Sequence, residues 1–292
     1  MTHLLTFGYG FTGQALSRRM MAEGWRVTAV VRSDATATKA RAQGVTPVAT
    51  EDRAGLVEAL KTATAILITA PPSEAGCPGL NTLIPALAEA NAFPDWIGYL
   101  STTGVYGDRE GRWVFEAGPL SARSVESARR VSAERDWRQV GRGMGLTVTA
   151  FRLPGIYGPG RSALDRARDG TAHGIVKPGQ MFSRIHVDDI AAGLAASIAR
   201  PRAGASYNLC DDEPAPSHEV NAFAAKLVGM PPPTLVAFDD ADLTPAARRF
   251  WSENKRVSNA LAKAELGWRP QYPTYREGLT AILAAEGGGN AS

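Results

Sequence analysis

Cysteine is scarce in this chain, and its two cysteines, Cys77 and Cys210, lie far apart in the sequence. They form no CxxC pair, which argues against a disulfide framework and against a structural zinc site. We therefore expect no metal and a reducing, cytoplasmic setting.

Long apolar runs and an excess of one charge are also missing. No 18 consecutive residues are apolar, and the opening "THLLTFGYG" is typical of a strand rather than a signal peptide, so we expect no membrane partner. The net charge is only +3, from 32 basic and 29 acidic residues. Proteins that bind nucleic acids normally cluster their basic residues, so we expect no such partner.

What the sequence does have is a regular alternation of apolar runs and helix-length segments. Segments such as "TGQALSRRMMAEG" and "NTLIPALAEANA" carry apolar residues at helical spacing. Parallel strands need crossover helices, so the alternation predicts an α/β fold, a parallel sheet covered on both faces. The runs that we expect to form buried strands are 3–7, 26–31, 65–69, 97–101 and 146–153.

The pattern loosens after about residue 158, where Pro and Gly become frequent, as in "GPGRS", "KPGQ" and "MPPPT". This part predicts a smaller, less regular region laid over the sheet. The segment 190–200, "IAAGLAASIAR", predicts one more helix packed on the main sheet. The end of the chain, 286–292, is rich in Gly and predicts a disordered tail.

The stretch "HLLTFGYGFTGQAL" contains a GxGxxG pattern, formed by Gly8, Gly10 and Gly13. The pattern follows an apolar run and opens a helix, which is the context that a dinucleotide site requires. The first glycine permits the tight turn, the second lets the backbone approach a pyrophosphate, and the third allows close packing of helix and strand. Backbone amides at the start of the helix then face the phosphates. We therefore predict a dinucleotide cofactor here.

The end of the second strand indicates which dinucleotide. Sites for NAD usually carry Asp or Glu about 20 residues past the glycines, where the carboxylate binds the ribose 2′-hydroxyl. This chain has Arg32 and Ser33 instead, and a guanidinium binds a 2′-phosphate by charge-assisted hydrogen bonds. We predict a preference for NADP(H) over NAD(H). Asp34 is the opposing signal, although it could cap the following helix.

Four further stretches are "LSTTGVYGD" (100–108), "FRLPGIYGPGR" (151–161), "RIHVDDIA" (184–191) and "YNLCDDEP" (207–214). With the glycine pattern, they resemble the extended branch of the short-chain dehydrogenase/reductase superfamily, the NAD-dependent epimerase/dehydratase group. The resemblance implies a doubly wound Rossmann domain, which we assign to 1–160 and 186–208. It also implies a small C-terminal substrate region, 161–185 and 209–285. The chain resembles an atypical member, because Phe7 stands where the group's usual GxxGxxG has its first glycine.

The resemblance extends to the catalytic positions, with one large departure. Thr102 matches the hydroxyl residue that helps to hold the reacting oxygen, although a hydroxyl at a strand end can also bond its own backbone. The group's Tyr-x-x-x-Lys, followed four residues later by Glu, is absent. Alignment on Glu134 puts Arg130 at the lysine position and Glu126 at the tyrosine position.

These replacements change the expected chemistry. Arg130 has donors enough to hold a ribose but does not release a proton. Glutamate is ordinarily ionised at neutral pH, so Glu126 is suited to accept a proton and poorly suited to donate one. The competing interpretation, which we favour for Glu126, is a solvated ion pair with Arg130 on one helix face. Tyr106, Tyr157 and His186 are candidate substitute acids. The resemblance implies, as the alternative, packing near the cofactor for the two tyrosines and a structural role for His186.

The remaining expected site residues complete two groups. Cofactor contacts are expected from Tyr9, Phe11, Thr12, Thr69, Ala70, Pro71, Arg130, Gly155 and Ile156. Arg161 and Arg184 are expected to bind an anionic group of the substrate, with solvent-facing arginines as the alternative.

Two functions remain open from the sequence. The resemblance implies an NAD(P)-dependent oxidoreductase or epimerase that acts on a nucleotide sugar or a related hydroxy or carbonyl compound, as a monomer or homodimer. The missing tyrosine favours a non-catalytic sensor or regulatory protein that binds NADP(H).

Overall fold

The computed structural model describes residues 2–288, and it contains thirteen strands and eleven helices in that range. The strands are β1 (His3–Phe7), β2 (Arg26–Val31), β3 (Thr46–Ala49), β4 (Ala65–Ile68), β5 (Trp96–Thr102), β6 (Trp113–Val114), β7 (Val148–Leu153), β8 (Gly155–Tyr157), β9 (Gly174–Val176), β10 (Arg184–His186), β11 (Ser206–Asn208), β12 (Leu235–Ala237) and β13 (Arg256–Val257). The helices are α1 (Phe11–Ala22), α2 (Asp34–Ala42), α3 (Arg53–Leu60), α4 (Pro78–Ala90), α5 (Val125–Met144), α6 (Ala163–Arg168), α7 (Val187–Ala199), α8 (Ser217–Leu227), α9 (Pro245–Trp251), α10 (Ala260–Leu266) and α11 (Tyr275–Gly288).

Seven strands form one sheet in the order β11-β7-β5-β4-β1-β2-β3, and every neighbouring pair is parallel. The expected doubly wound parallel sheet is therefore confirmed. The chain order reverses between β1 and β4, and open sheets of this kind bind ligands in the crevice at the carboxyl ends of such strands.

The core lies on both faces of the sheet because successive strand residues point to opposite sides. Leu4 and Leu67 belong to one apolar cluster, which contains residues of α1 and α7. Leu5 and Ile66 belong to the other, which contains residues of α3, α4 and α5. The strands are buried on both sides, which explains their nearly continuous apolar sequences.

Outside this sheet, three short parallel pairs are formed by β8 with β10, β9 with β12, and β6 with β13. A third apolar cluster joins α6, α8 and α11. Leu279 and Ile282 hold α11 in this cluster, and the helix continues to Gly288. Residues 286–288, which we expected in a disordered tail, are therefore helical, and the rest of that tail lies outside the described residues. Within 2–288, no helix combines the length and the apolar character needed to cross a bilayer.

Candidate functional site

The glycine turn between β1 and α1 has the geometry that its sequence predicts. Gly8 has a φ of 96°, a region that side chains disfavour, and a Cβ there would collide with Thr69 Oγ1. A Cβ on Gly13 would lie 3.1 Å from the Gly8 carbonyl oxygen, so the helix packs tightly on the turn. At Gly10 a Cβ would meet no described atom within 4 Å. The turn is therefore packed on its inner side and open at Gly10.

Helix α1 begins at this open position. Gly10 is its N-cap and supplies no side-chain cap, so the first-turn amides remain available to an anion. Tyr9 is buried, and its hydroxyl donates to Gln43 Oε1 at 2.7 Å, so only its backbone can face a cofactor. The remaining expected contacts here flank the turn: Phe11 and Thr12 on α1, and Thr69, Ala70 and Pro71 after β4.

Arg32 and Ser33 follow β2 directly and are exposed. Among the described residues, no hydrogen bond or ion pair engages the Arg32 guanidinium. Ser33, rather than Asp34, caps α2: its hydroxyl accepts the Thr36 amide at 3.3 Å. Asp34 lies in the first helical turn, where its charge favours the helix N-terminus.

A cavity of about 750 Å³ opens beside the carboxyl ends of β5 and β7. It brings together six of the expected site residues, namely Thr102, Glu126, Gly155, Ile156, Arg161 and Arg184. These come from four separate segments of the chain. A volume of this size is sufficient for a small-molecule ligand.

Thr102 is the last residue of β5 and caps the short 3₁₀ turn 103–106 that follows. Its hydroxyl oxygen accepts the Gly104 amide at 3.1 Å. A bond to the local backbone was the alternative to a functional role for Thr102. The residue makes this bond and also lines the cavity. Its own O–H is still free to donate to a ligand oxygen.

Glu126, Arg130 and Glu134 lie on α5 but do not form an ion-pair ladder. No ion pair joins Glu126 to Arg130 among the described residues, so our favoured interpretation of Glu126 is wrong. Glu126 lines the cavity, whereas Arg130 donates to the Leu100 carbonyl of β5. Glu134 is buried and binds Arg152 of β7, with a shortest distance of 2.8 Å from Nη2 to Oε2.

Tyr106 lies in the protein interior rather than in the cavity. Its hydroxyl donates to Asn208 Oδ1 at 2.7 Å and accepts from Arg152 Nη1 at 2.9 Å. Burial raises its pKa to about 12, with Arg152 opposing the shift. The candidate role of Tyr106 as substitute acid is therefore wrong, because its buried hydroxyl does not line the cavity and already makes two hydrogen bonds.

The two arginines expected to bind substrate both reach the cavity. The Arg161 guanidinium lies 5.7 Å from the centre of the Phe11 ring, beside the start of α1. Arg184 donates from Nη2 to the Ala215 carbonyl at 3.1 Å, and its Nη1 has no hydrogen-bond partner among the described residues. Burial lowers the pKa of Arg184, whereas Asp211 opposes this shift.

Other lining residues were not expected. They include the N-cap Ser124 and the first-turn Ser127 of α5, and Arg249, Phe250, Glu253 and Lys255 in or near α9. The last four lie more than 140 residues from Thr102, in a segment whose sequence has no periodic pattern. Only the fold brings this segment to the cavity. Among the described residues, no cluster of three or more His, Cys, Asp or Glu side chains could hold a metal ion.

Comparison with known proteins connects this geometry to a family. The sequence profile described as "NAD dependent epimerase/dehydratase family" matches residues 4–210. A 3-diazoavenalumate denitrifying reductase of Streptomyces sp. is 29% identical over 173 residues. That match covers 54% of this chain and 52% of the reductase, so the chain spans about half the length of this relative.

Two solved structures extend the likeness over the whole chain. A functionally unknown conserved protein from Silicibacter pomeroyi DSS is 47% identical, with a TM-score of 0.90 and coverage of 98% of this chain and 99% of that one. The UDP-glucose 4-epimerase of Thermus thermophilus, solved in complex with NAD, is 20% identical, with a TM-score of 0.74 and coverage of 98% and 100%. The second likeness concerns the fold alone.

Proposed function

Because the chain belongs to the NAD-dependent epimerase/dehydratase family, we propose that it is an NADP(H)-dependent oxidoreductase or epimerase. Its substrate would be a small anionic hydroxy or carbonyl compound, such as a nucleotide sugar. The observation that carries the proposal is the open glycine turn beside a cavity lined by Thr102, Arg161 and Arg184.

The residues around the turn fit a dinucleotide. The space next to Gly10 and the first-turn amides of α1 would hold the pyrophosphate, and Arg32 would bind the 2′-phosphate. When bound, the nicotinamide would donate or accept hydride. Gly155 and Ile156 line the same cavity as Thr102, so they could border the nicotinamide end. Arg130 would hold a ribose hydroxyl with the donors that Leu100 leaves free.

The substrate would lie in the cavity. Thr102 would donate a hydrogen bond to the reacting oxygen, because its hydroxyl oxygen accepts the Gly104 amide and its O–H is still free. The unpartnered Nη1 of Arg184 and the guanidinium of Arg161 support binding of a phosphate or carboxylate. We also propose that residues 161–185 and 209–285 form the substrate region and that the remaining sheet-forming segments form the cofactor domain.

Calorimetric titration of the full chain with NADPH and NADH tests the cofactor. Hydrogen bonds to charged groups contribute about 1.5–3 kcal/mol, so Arg32→Ala should weaken NADPH about 10- to 100-fold and leave NADH unchanged. Arg142→Ala is the matched control, because Arg142 is another exposed arginine, in the last turn of α5. Equal losses for both coenzymes in Arg32→Ala would refute the NADP(H) preference.

Gly10→Ala tests the pyrophosphate position separately. The added methyl group meets no described protein atom, so the fold should tolerate it. It would occupy the space proposed for the pyrophosphate, so both coenzymes should bind at least 10-fold more weakly. Unchanged affinity with normal stability would place the dinucleotide elsewhere.

A second function, an NADP(H)-binding sensor without turnover, is favoured by one observation. The position of the family tyrosine holds Glu126, and Tyr106 does not reach the cavity. Absorbance at 340 nm with UDP-glucose, dTDP-glucose and simple anionic carbonyl compounds separates the two functions. Tight NADPH binding without absorbance change on any compound would favour the sensor.

A further inference from the structure

The proposed reaction requires a proton carrier, and the acid–base groups that line the cavity leave few candidates. The arginines do not release protons at neutral pH. Tyr157 lines the cavity, but its hydroxyl is buried against Gly278, where even a Cβ would collide with it. Tyr275 belongs to α11, and no hydrogen bond among the described residues links its hydroxyl to the turn that carries Thr102.

Lys255 is the single lysine among the described lining residues. Its side chain is only 11% exposed, and its Nζ donates to the Gly107 carbonyl at 2.9 Å and to Glu253 Oε2 at 2.5 Å. An ammonium group has three N–H donors, so one remains for a ligand. The segment that carries Lys255 is held firmly, because the Asn254 amide donates to Asp108 Oδ1 at 2.8 Å.

Three consecutive hydrogen bonds connect Lys255 to Thr102. Thr102 Oγ1 accepts the Gly104 amide at 3.1 Å, the Gly104 carbonyl accepts the Gly107 amide at 3.0 Å, and the Gly107 carbonyl accepts Lys255 Nζ at 2.9 Å. All three bonds involve the turn that follows β5, and Thr102 and Lys255 both line the cavity. A group that lines the same cavity as Thr102 can reach the substrate oxygen either directly or through one water.

We propose that Lys255 is the proton carrier of this protein, in place of the missing family tyrosine. The assignment rests on the proposed function. In carbonyl reduction, the carbonyl carbon would gain a hydride, which the reduced nicotinamide would supply when bound, and the C=O π electrons would move to oxygen. That oxygen takes a proton from Lys255 Nζ, which becomes a neutral amine and regains a proton from solvent. Alcohol oxidation is the reverse.

The surroundings of Lys255 suit a group that must lose its proton. Burial lowers the pKa of Lys255 below the ordinary lysine value, and Arg109 acts in the same direction. Glu253 and Asp108 oppose the shift. Catalysis by a positioned acid is most efficient when its pKa approaches the working pH.

Variants at this position separate proton transfer from charge and packing. Lys255→Arg keeps the positive charge and a donor for Gly107 but does not release a proton. Lys255→Met removes both the charge and the donor. With NADPH and 4-carboxybenzaldehyde or phenylpyruvate, kcat should fall at least 100-fold in both variants, with KM and NADPH affinity nearly unchanged. The basic limb of the wild-type kcat–pH profile should be lost. Lys263→Met, remote from the cavity, is the control.

A second measurement needs no substrate. The pH dependence of acetylation by acetic anhydride, followed by mass spectrometry, should give Lys255 a lower midpoint than the exposed Lys61. Full activity in Lys255→Arg would overturn the proposal. If the wild-type chain reduces none of the carbonyl compounds, equal acetylation midpoints for Lys255 and Lys61 would overturn it instead. Failure of the wild-type chain to bind NADPH would instead refute the proposed function on which the assignment rests.

Discussion

The buried pair of Glu134 and Arg152 offers a direct test of what holds the site together. Their side chains are 1% and 3% exposed. Glu134 accepts from Ser101 Oγ at 2.5 Å and from the Arg152 guanidinium at 2.8–3.3 Å. The pair thus joins α5 to β5 and β7, next to Thr102.

Glu134→Gln keeps the size of the side chain and removes its charge. Breaking a buried pair from one side costs about 3–5 kcal/mol, since the other charge stays behind without compensation. Arg152 also donates from Nη1 to the Tyr106 hydroxyl and to the Glu116 carbonyl, each at 2.9 Å, so it remains partly satisfied. We therefore expect Glu134→Gln to lower the free energy of unfolding by about 3 kcal/mol, and Glu134→Ala, which also leaves a cavity, by about 5 kcal/mol.

Urea unfolding followed by tryptophan fluorescence measures these losses, and an unchanged m-value would show that the unfolded state is unaffected. Glu23→Gln is the matched control. Glu23 pairs with Arg19 at 3.3 Å on the surface of α1, both 47% exposed, so its loss should cost less than about 0.5 kcal/mol. Similar small losses for Glu134→Gln and Glu23→Gln would refute the reasoning.

Three further predictions concern other positions. Gly8→Ala should destabilise the chain by at least about 1 kcal/mol and abolish NADPH binding, because a methyl group would both collide with Thr69 and disfavour the φ of 96°; thermal unfolding and calorimetry measure the two effects. Thr102→Val should lower turnover of a carbonyl substrate at least 10-fold without changing NADPH affinity, as steady-state kinetics would record. Burial and then Arg26 lower the pKa of His3 to about 4, so the native state binds fewer protons than the unfolded state between pH 4 and 6.5, and stability should fall as the pH is lowered through this window. Urea midpoints of wild type and His3→Gln would differ in slope only there.

The sequence was most informative where one local signal determines one element. Strands β1 and β2 have the predicted bounds, since both are continuous apolar runs buried on each side. Strands β3 and β11 were not among the expected strands. Strand β3 has four residues and contains Pro47, and β11 has three, "SYN", so neither is long enough to display a period. Their place in the sheet comes from the pairing with β2 and β7.

The residues of the site also differ in whether a local sequence pattern predicts them. The glycine turn and the position of Thr102 follow from local patterns in or beside a strand. Lys255 has no such signal, because it lies between α9 and the two-residue strand β13. It is held at the cavity by a hydrogen bond to Gly107, 148 residues away. The prediction for Tyr106 was wrong for the opposite reason. Its motif can be recognised in the sequence, but the burial of its side chain cannot.

The structure places different constraints on the three positions of α5 that were aligned with the family motif. Glu134 is buried in a charged network that joins three elements, and a change there would leave Arg152 without its counter-ion. Glu126 lines the cavity near the beginning of the helix, and Arg130 donates to the Leu100 carbonyl. Glu134 is therefore constrained by folding, whereas no hydrogen bond or ion pair among the described residues holds the Glu126 side chain. If Lys255 supplies the proton, residue 126 does not have to be an acid with a proton to give. Glu126→Gln should then preserve the kcat–pH profile of the wild type, whereas Lys255→Arg should not.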